Sequence, residues 1–145
     1  MQSLYVPIFQ NLTLWRKLEY SLTREVIRKI QERTDIQILS DPQKADGKLL
    51  GKITMFQKSI LTEDTKNQAF EASITLGVEI QLVNQKGESL LHRSLADTRA
   101  FLVSHEGGLE VAKKEAFQEM AEKILFTLED WNQRSKESMA VIDKE

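Results

Sequence analysis

The chain has 145 residues, of which 41% are hydrophobic and 29% charged, so it is long enough to bury the core of one globular domain. It contains no cysteine, which excludes disulfides, thiolate metal sites and cysteine nucleophiles. A net charge of −2 argues against a dedicated nucleic-acid-binding protein, and no apolar run approaches the roughly 20 residues that a membrane-spanning helix needs.

The first part of the chain predicts a strand, a helix and a second strand. Residues 4–9 are mostly apolar, and Pro7 places them at the edge or the end of a sheet. From Trp15 to Ile30 apolar residues recur every three or four positions, which indicates one buried helical face. Residues 36–39 form a second short strand, and a helical crossover should pair it in parallel with the first.

The middle of the chain predicts an antiparallel meander of three long strands. Residues 49–61 are extended, and Gly51 marks a close approach or a bulge. Residues 70–82 alternate apolar and polar side chains without a miss, which is typical of a strand with one buried and one solvated face. Residues 84–87 predict a hairpin turn before a third strand at 90–102, and the polar residues 62–68 suit the preceding hairpin loop.

The last part predicts a second amphipathic helix and a tail. The apolar face of this helix comprises Leu109, Ala112, Ala116, Phe117, Met120, Ile124, Leu128 and Trp131. Its periodicity fades after Asn132. The sequence therefore predicts a single domain over residues 1–132 and a flexible tail over 133–145.

Together these elements predict an α+β fold with the order β-α-β-β-β-β-α. We expect a two-layer sandwich, in which two amphipathic helices cover one face of a mixed, mainly antiparallel sheet. The predicted core comprises Phe70, Ile74, Leu76, Val78 and Ile80 from the sheet and Leu22, Val26, Ile30, Phe117, Met120, Ile124 and Leu128 from the helices.

The residues that carry chemistry in enzymes do not form a recognisable set. His92 and His105 are far apart, and the H-E-x-x-H metalloprotease pattern that begins at His105 has Leu109 in place of its second histidine. No glycine-rich phosphate loop is present. The Asn11-Leu12-Thr13 step has the spacing of a glycosylation sequon, but we interpret it as turn and helix-capping chemistry. We therefore predict no enzymatic activity, no cofactor and no metal site.

Charge is distributed unevenly between the two helices. Residues 14–33 hold six bases and three acids, whereas residues 106–130 hold seven acids and three bases. Two interpretations remain open. The helices could lie side by side with complementary flanks, or the basic helix could meet an anionic partner or a lipid head group.

A second group of bases lies on the meander. Alternation puts Lys48, Lys52 and Lys58 on one face of their strand and Arg93 and Arg99 on one face of theirs. Lysines on a solvated strand are also a common protection of sheet edges. If both rows lie on the open face of the sheet, they form one basic patch suited to an anionic ligand.

Two stretches of the first 53 residues carry a family resemblance. The segment V-P-I-F-Q-N-L-T supplies Val6, Pro7, Phe9, Asn11 and Thr13, and the later segment supplies Asp41, Pro42, Ala45, Asp46 and Gly51. In this order, with a helix between them, the two segments resemble the lipopolysaccharide-assembly lipoprotein family LptE. Leu12 stands where an arginine is frequent in that family, and the A-D-x-x-L-x-G pattern is shared by other exported lipoproteins.

The resemblance implies a non-enzymatic lipoprotein on the periplasmic side of the outer membrane. Such proteins plug the β-barrel LptD, help it to assemble and contact lipopolysaccharide, so the five bases of the meander become candidate lipopolysaccharide contacts. Because the family's lipid-bearing cysteine is missing, we expect this chain to begin after the anchor, which would be its only link to the membrane. The alternative is a periplasmic lipoprotein that regulates or scaffolds another envelope machine, either a secretion pore or a peptidoglycan synthase.

Overall fold

The computed structural model describes residues 1–63, 66, 69–103 and 107–143, apart from the side chains of residue 69 and residues 139–143. In this part of the chain, helices α1 (Leu18–Arg33) and α2 (Gly108–Asp143) cover one face of a six-stranded sheet. The strands are β1 (Ser3–Tyr5), β2 (Gln10–Asn11), β3 (Gln37–Ile38), β4 (Gly47–Glu63), β5 (Ala69–Asn84) and β6 (Ser89–Leu102). The predicted two-layer α+β fold is confirmed.

The N-terminal strands form the parallel part of the sheet. Strand β1 lies between β3 and β4 and pairs in parallel with both; the helical crossover predicted the pairing with β3. The strand predicted at residues 4–9 is shorter than expected: it ends at Tyr5, and the segment around Pro7 leaves the ladder before a second short strand, β2, pairs with β4 further along. A proline cannot donate a ladder hydrogen bond, so a break at this position is expected.

Helix α1 begins later than the apolar periodicity suggests. Its N-cap is Lys17, which has a left-handed φ of 68° and no side-chain capping bond. Trp15 therefore lies outside the helix, where its ring packs edge-on against Phe56 with 4.9 Å between ring centroids. The prediction that Asn11-Leu12-Thr13 caps this helix is wrong, although these residues do form a turn.

Strands β4, β5 and β6 form the predicted antiparallel meander. The turn between β5 and β6 is closed by the Gly87 N–H, which donates to the Asn84 carbonyl at 3.0 Å, and Gly87 has a φ of 83° that favours glycine. Strand β4 contains a bulge between Ile53 and Met55. Before the bulge odd-numbered side chains face the helices, and after it even-numbered side chains do, as far as Ile60, where the register shifts again.

The core lies between the helices and the β4–β5–β6 meander. All but one of the predicted core residues are buried. The exception is Phe70, which is 49% exposed. The Phe70 carbonyl accepts a hydrogen bond from Val103, one residue beyond Leu102. Gly108, the first residue of α2, lies against Leu102, so the helix begins too far along the sheet to cover Phe70. The apolar face of the sheet thus extends past its helical cover.

Helix α2 is longer than predicted and runs to Asp143. Residues 133–143, which we expected in a flexible tail, are helical. The division of the chain at residue 132 itself stays a prediction.

Candidate functional site

The five bases predicted to form one patch lie on two faces of the sheet. Lys52 lies opposite Glu79 in the β4–β5 register, on the face that no helix covers, and Lys48 shares that face. Lys58 lies beyond the bulge and pairs with Ile74, which is fully buried beneath the helices. The prediction of a single basic patch is therefore wrong, because the bulge at Ile53–Met55 breaks the simple alternation of β4, and in the residues that follow it, up to Ile60, even-numbered side chains face the helices.

The two arginines of β6 also lie on the helix side. Arg99 is in register with Ile74, and its guanidinium contacts Asp97 at 3.0 Å and Glu119 of α2 at 3.4 Å. Arg93 donates to the His92 carbonyl at 2.9 Å. Lys58 stands over the ring of Phe101, 6.0 Å from its centroid. Arg99 thus serves a structural ion pair, and contact of any of the five with lipopolysaccharide stays a prediction.

The residues of the first family-like segment hold the start of the fold together. Phe9 is 1% exposed, and its N–H donates to the Thr23 hydroxyl of α1 at 2.9 Å. A Cβ on Gly51 would lie 2.5 Å from the Phe9 ring, so only glycine fits at this point of β4. Val6 is buried as well, and Pro7 is half-buried beside it.

The second segment ties the beginning of β4 to β1. The Asp46 carboxylate accepts hydrogen bonds from the Gln2 and Ser3 amides at 2.8 and 3.1 Å, and the Asp46 amide donates to the Ser3 hydroxyl at 2.9 Å. Ala45 is buried. The turn before it contains the half-buried Pro42 and is closed by Asp41, whose carboxylate accepts from the Gln43 amide at 3.0 Å. The contacts of both segments are structural.

Two bases in the C-terminal half of α1 are paired with one acid of α2. Lys29 contacts Glu122 at 2.8 Å, and Arg33 holds the same carboxylate with two hydrogen bonds of 2.5 and 2.6 Å. The hydrogen bond from Lys29, helped by Arg33 and opposed by burial, lowers the pKa of the Glu122 carboxyl from its usual 4.5. The interpretation of complementary flanks is correct for this half of the helix pair.

The other end of the helix pair has a different character. The two helices run in the same direction, so both begin at this end, and an open depression of about 320 Å³ lies between them. We call it the basic groove, and its five basic lining residues are Arg16, Lys17, Arg24, Lys113 and Lys114. The two acids in the lining are engaged: Glu25 binds Arg28 at 2.6 Å, and Glu110 lies 3.4 Å from Lys113.

A hydrogen-bonded turn fixes the start of the basic groove. The Asn11 side-chain oxygen accepts from the Thr13 amide at 2.9 Å, and its nitrogen donates to the Trp15 carbonyl at 2.6 Å and to Glu19 at 3.0 Å. Trp15 also lies beneath Lys113, whose ammonium is 6.0 Å from the ring centroid. Arg16 and Lys17 follow directly, so the turn sets where their side chains enter the groove.

The basic groove has the chemistry of an anion site. Helix N-termini carry partial positive charge and unpaired N–H groups, and here two of them meet beside five cations. Arg16, Lys17, Arg24 and Lys114 have no ion-pair partner among the described residues. The groove therefore suits an anionic ligand. Leu14, two residues before Arg16 in the chain, is 99% exposed.

Sequence reasoning found only half of this groove. The excess of bases in residues 14–33 was compatible with an anionic partner. The sequence did not show which of these bases would pair with α2, as Lys29 and Arg33 do, and which would stay available for a ligand. Lys113 and Lys114 were counted in the acidic helix. They join the groove because α2 lies parallel to α1, which the charge pattern alone does not reveal.

Of the two histidines, His92 lies in the described part of the chain. His92 is exposed, and its Nε2 lies 2.7 Å from a Glu79 oxygen. His105 lies outside the described residues. Within the described ranges no group of three or more potential ligands is placed to hold a metal ion. Nor does any helix in these ranges combine the length and the apolar character needed to cross a membrane.

Comparison with known proteins places the chain in context. The family model LptE, described as lipopolysaccharide-assembly, matches residues 1–128. No curated protein matches the sequence significantly. Among solved structures, a Xanthomonas campestris protein matches with a TM-score of 0.72 and 12% identity, covering 94% of this chain and 88% of its own.

Two lipoproteins of known structure share the fold over nearly their whole length. Rare lipoprotein B from Shewanella oneidensis matches with a TM-score of 0.60 and 17% identity, covering 99% of this chain and 100% of its own. A minor lipoprotein from Acinetobacter baumannii matches with a TM-score of 0.59 and 13% identity, covering 92% and 94%. At these identities the likeness shows a common fold.

Proposed function

Because the chain belongs to the lipopolysaccharide-assembly family LptE, we propose that it plugs the outer-membrane β-barrel LptD, helps it to assemble and assists the delivery of lipopolysaccharide to the cell surface. The family consists of non-enzymatic lipoproteins of the Gram-negative envelope. The proposed location is the periplasmic side of the outer membrane, with a lipid anchor as the only membrane attachment.

The observation that carries the lipopolysaccharide part of the proposal is the basic groove. Lipopolysaccharide presents phosphates beside acyl chains, and phosphates favour Arg and Lys donors and helix N-termini. Arg16, Lys17 and Lys114 supply such donors and have no ion-pair partner among the described residues. Lys48 and Lys52, on the uncovered sheet face, are proposed as secondary contacts. Lys58, Arg93 and Arg99 remain weaker candidates. They lie on the helix side of the sheet, away from these two lysines, and Arg99 is already paired with Asp97 and Glu119.

A plug inside a barrel needs a rigid body with a polar outside, since the interior of such barrels is polar. The uncovered face of the sheet supports this role. Thr75 and Thr98 share a hydrogen bond of 3.0 Å across β5 and β6, and Glu79 pairs with His92. The same face would also suit other partners, so the barrel has to be tested directly.

The lipopolysaccharide contact is tested with two matched triple variants of the purified domain. The first reverses three groove bases, Arg16→Glu, Lys17→Glu and Lys114→Glu. The second reverses three exposed bases elsewhere, Lys44→Glu, Lys86→Glu and Lys136→Glu, so the net charge changes equally. We expect the groove variant to bind purified lipopolysaccharide at least about tenfold more weakly than the control variant. Equal affinities of the two variants would assign binding to overall charge and not to the groove.

The partner is tested with the anchored form of the protein. LptD should be recovered with it from detergent-solubilised outer membrane. Recovery of a secretion pore or a peptidoglycan synthase in the absence of LptD would replace the proposal with the regulator alternative.

A further inference from the structure

Strand β6 is the last strand of the sheet, and its outer edge has no strand beside it in the described part of the chain. The Val103 amide donates to the Phe70 carbonyl of the preceding strand, which shows that odd-numbered residues direct their backbone groups toward β5. Even-numbered residues therefore direct theirs outward. These residues are His92, Ser94, Ala96, Thr98 and Ala100.

Two of the outward carbonyls are held by basic side chains. Lys123 of α2 donates to the Ala96 carbonyl at 2.6 Å, and Arg93 donates to the His92 carbonyl at 2.9 Å. Lys123 also lies 3.4 Å from Asp97, so it keeps an ion-pair partner if it leaves the carbonyl. In the described part of the chain, the edge is thus covered by flexible side chains and not by a loop or a helix. A strand of a partner can displace these side chains.

A large aromatic side chain stands beside this edge. Phe126 of α2 is 70% exposed, and with the half-buried Leu95 it lines a depression of about 370 Å³. A strand added to β6 would carry alternate side chains over this depression. Its backbone would satisfy the outward groups of β6 while one apolar side chain covered Phe126.

We propose that the outer edge of β6 binds an extended segment of a partner protein by strand addition. The segment has an apolar side chain over Leu95 and Phe126 and an acidic side chain, two positions away, facing Arg93. Arg93 has no acidic partner among the described residues, so the acidic position is set by charge complementarity. The proposal rests on the proposed function in one respect: the segment belongs to the barrel partner LptD.

Backbone chemistry decides for an extended segment over a helix. A helix has satisfied its own N–H and C=O groups and would leave the outward groups of Ser94, Thr98 and Ala100 unpaired, whereas a strand pairs with them. Unpaired backbone groups that lose water cost free energy. A docked helix would therefore cover Phe126 at the expense of the edge beside it.

A proline at Ala96 tests the edge directly. The Ala96 amide points outward, so Ala96→Pro removes a donor from the free edge without removing a bond to β5. Ala96→Thr keeps that donor and serves as the control. In the full, anchored protein produced together with LptD, we expect recovery of the complex to fall by about tenfold for Ala96→Pro and to stay unchanged for Ala96→Thr.

Hydrogen exchange of the wild-type complex provides an independent measurement. The amides of Ser94, Ala96, Thr98 and Ala100 should exchange at least about tenfold more slowly in the complex than in the free chain. This measurement decides the matter if Ala96→Pro fails to fold, as judged by its thermal melt. Replacement of Phe126 by serine should weaken the complex without changing the melt.

The outcomes separate this inference from the proposed function. An intact complex in which those four amides exchange as in the free chain overturns the strand addition and leaves the barrel partner standing. Equal recovery of the two Ala96 variants, both folded, does the same. Failure to recover LptD with the wild type overturns both. Slow exchange in the free chain together with a dimer mass would assign the edge to a second copy and overturn the proposal.

Discussion

The two ends of the helix pair treat their positive charges in opposite ways. Toward the end of α1, Lys29 and Arg33 both form ion pairs with Glu122 of α2. At the other end, Arg16, Lys17 and Lys114 line an open groove without an acidic partner among the described residues. The same pair of helices is therefore self-complementary at one end and open to an anion at the other.

The difference shows that a net charge counted along a helix mixes two kinds of residue. Bases that meet an acid of the neighbouring helix stabilise the packing and have little left to offer a ligand. Bases that the neighbour leaves unmatched are the ones available for binding. Only the relative placement of the two helices, here parallel, sorts one kind from the other.

The largest expected effect comes from the core that lies beneath the helix pair. Ile74 is fully buried, so Ile74→Ala should lower the free energy of unfolding by about 2–5 kcal/mol, because it leaves a cavity. The control is Phe70→Ala in the same strand, which should cost less than about 0.5 kcal/mol since Phe70 is 49% exposed. Denaturant melts of both variants measure the contrast. Equal losses of unfolding free energy would contradict the assignment of Ile74 to the covered part of β5 and of Phe70 to the uncovered part.

A smaller loss is expected from the turn that begins the basic groove. Asn11→Ala leaves the Thr13 amide and the Trp15 carbonyl without their partner and should cost about 1–3 kcal/mol. It should also weaken lipopolysaccharide binding, because Arg16 and Lys17 lose their fixed starting point. Leu12→Ala is the control, since Leu12 is 55% exposed in the same turn. A lipopolysaccharide affinity that stays unchanged in Asn11→Ala would show that the turn does not position the groove.

The smallest effect is expected at the end where Lys29 and Arg33 pair with Glu122. The pKa of Glu122 is lowered in the folded protein, so its ion pairs stabilise the fold above the unfolded value near 4.5 and lose that effect as the pH falls through the folded value. Glu122→Gln should therefore cost about 1 kcal/mol or less at pH 7 and nothing at strongly acidic pH. Thermal melts of both proteins across this pH range give the difference. A cost that is independent of pH would point to packing and not to charge.

The sequence predicted most of the architecture, because its periodicities are long. The uninterrupted alternation of residues 70–82 determines which face of β5 is buried, and the apolar stripe of α2 is equally clear. Short elements were placed less well. The start of α1 was set too early because Trp15 falls on the helical stripe, although it packs against Phe56 from the preceding loop.

The candidate sites were harder to predict than the fold. The five meander bases were assigned to one face by counting alternate residues, which holds only while a strand keeps its register. The pairing of Lys29 and Arg33 with Glu122 and the meeting of Lys17 with Lys114 depend on how two helices lie against each other. No periodicity within one helix contains that information.

The bulge between Ile53 and Met55 makes Thr54 the extra residue of β4, because Ile53 lies opposite Val78 and Met55 opposite Gly77. If Thr54 were lost, Met55 would follow Ile53 directly and both pairings would stay as they are. Phe56 would still face the helices, as the second residue after Ile53 in a regular alternation. A reading-frame-preserving deletion of this one codon is therefore compatible with the fold. Deletion of Gln57, three residues further on, would instead turn Lys58 to the open face and Ser59 toward the helices.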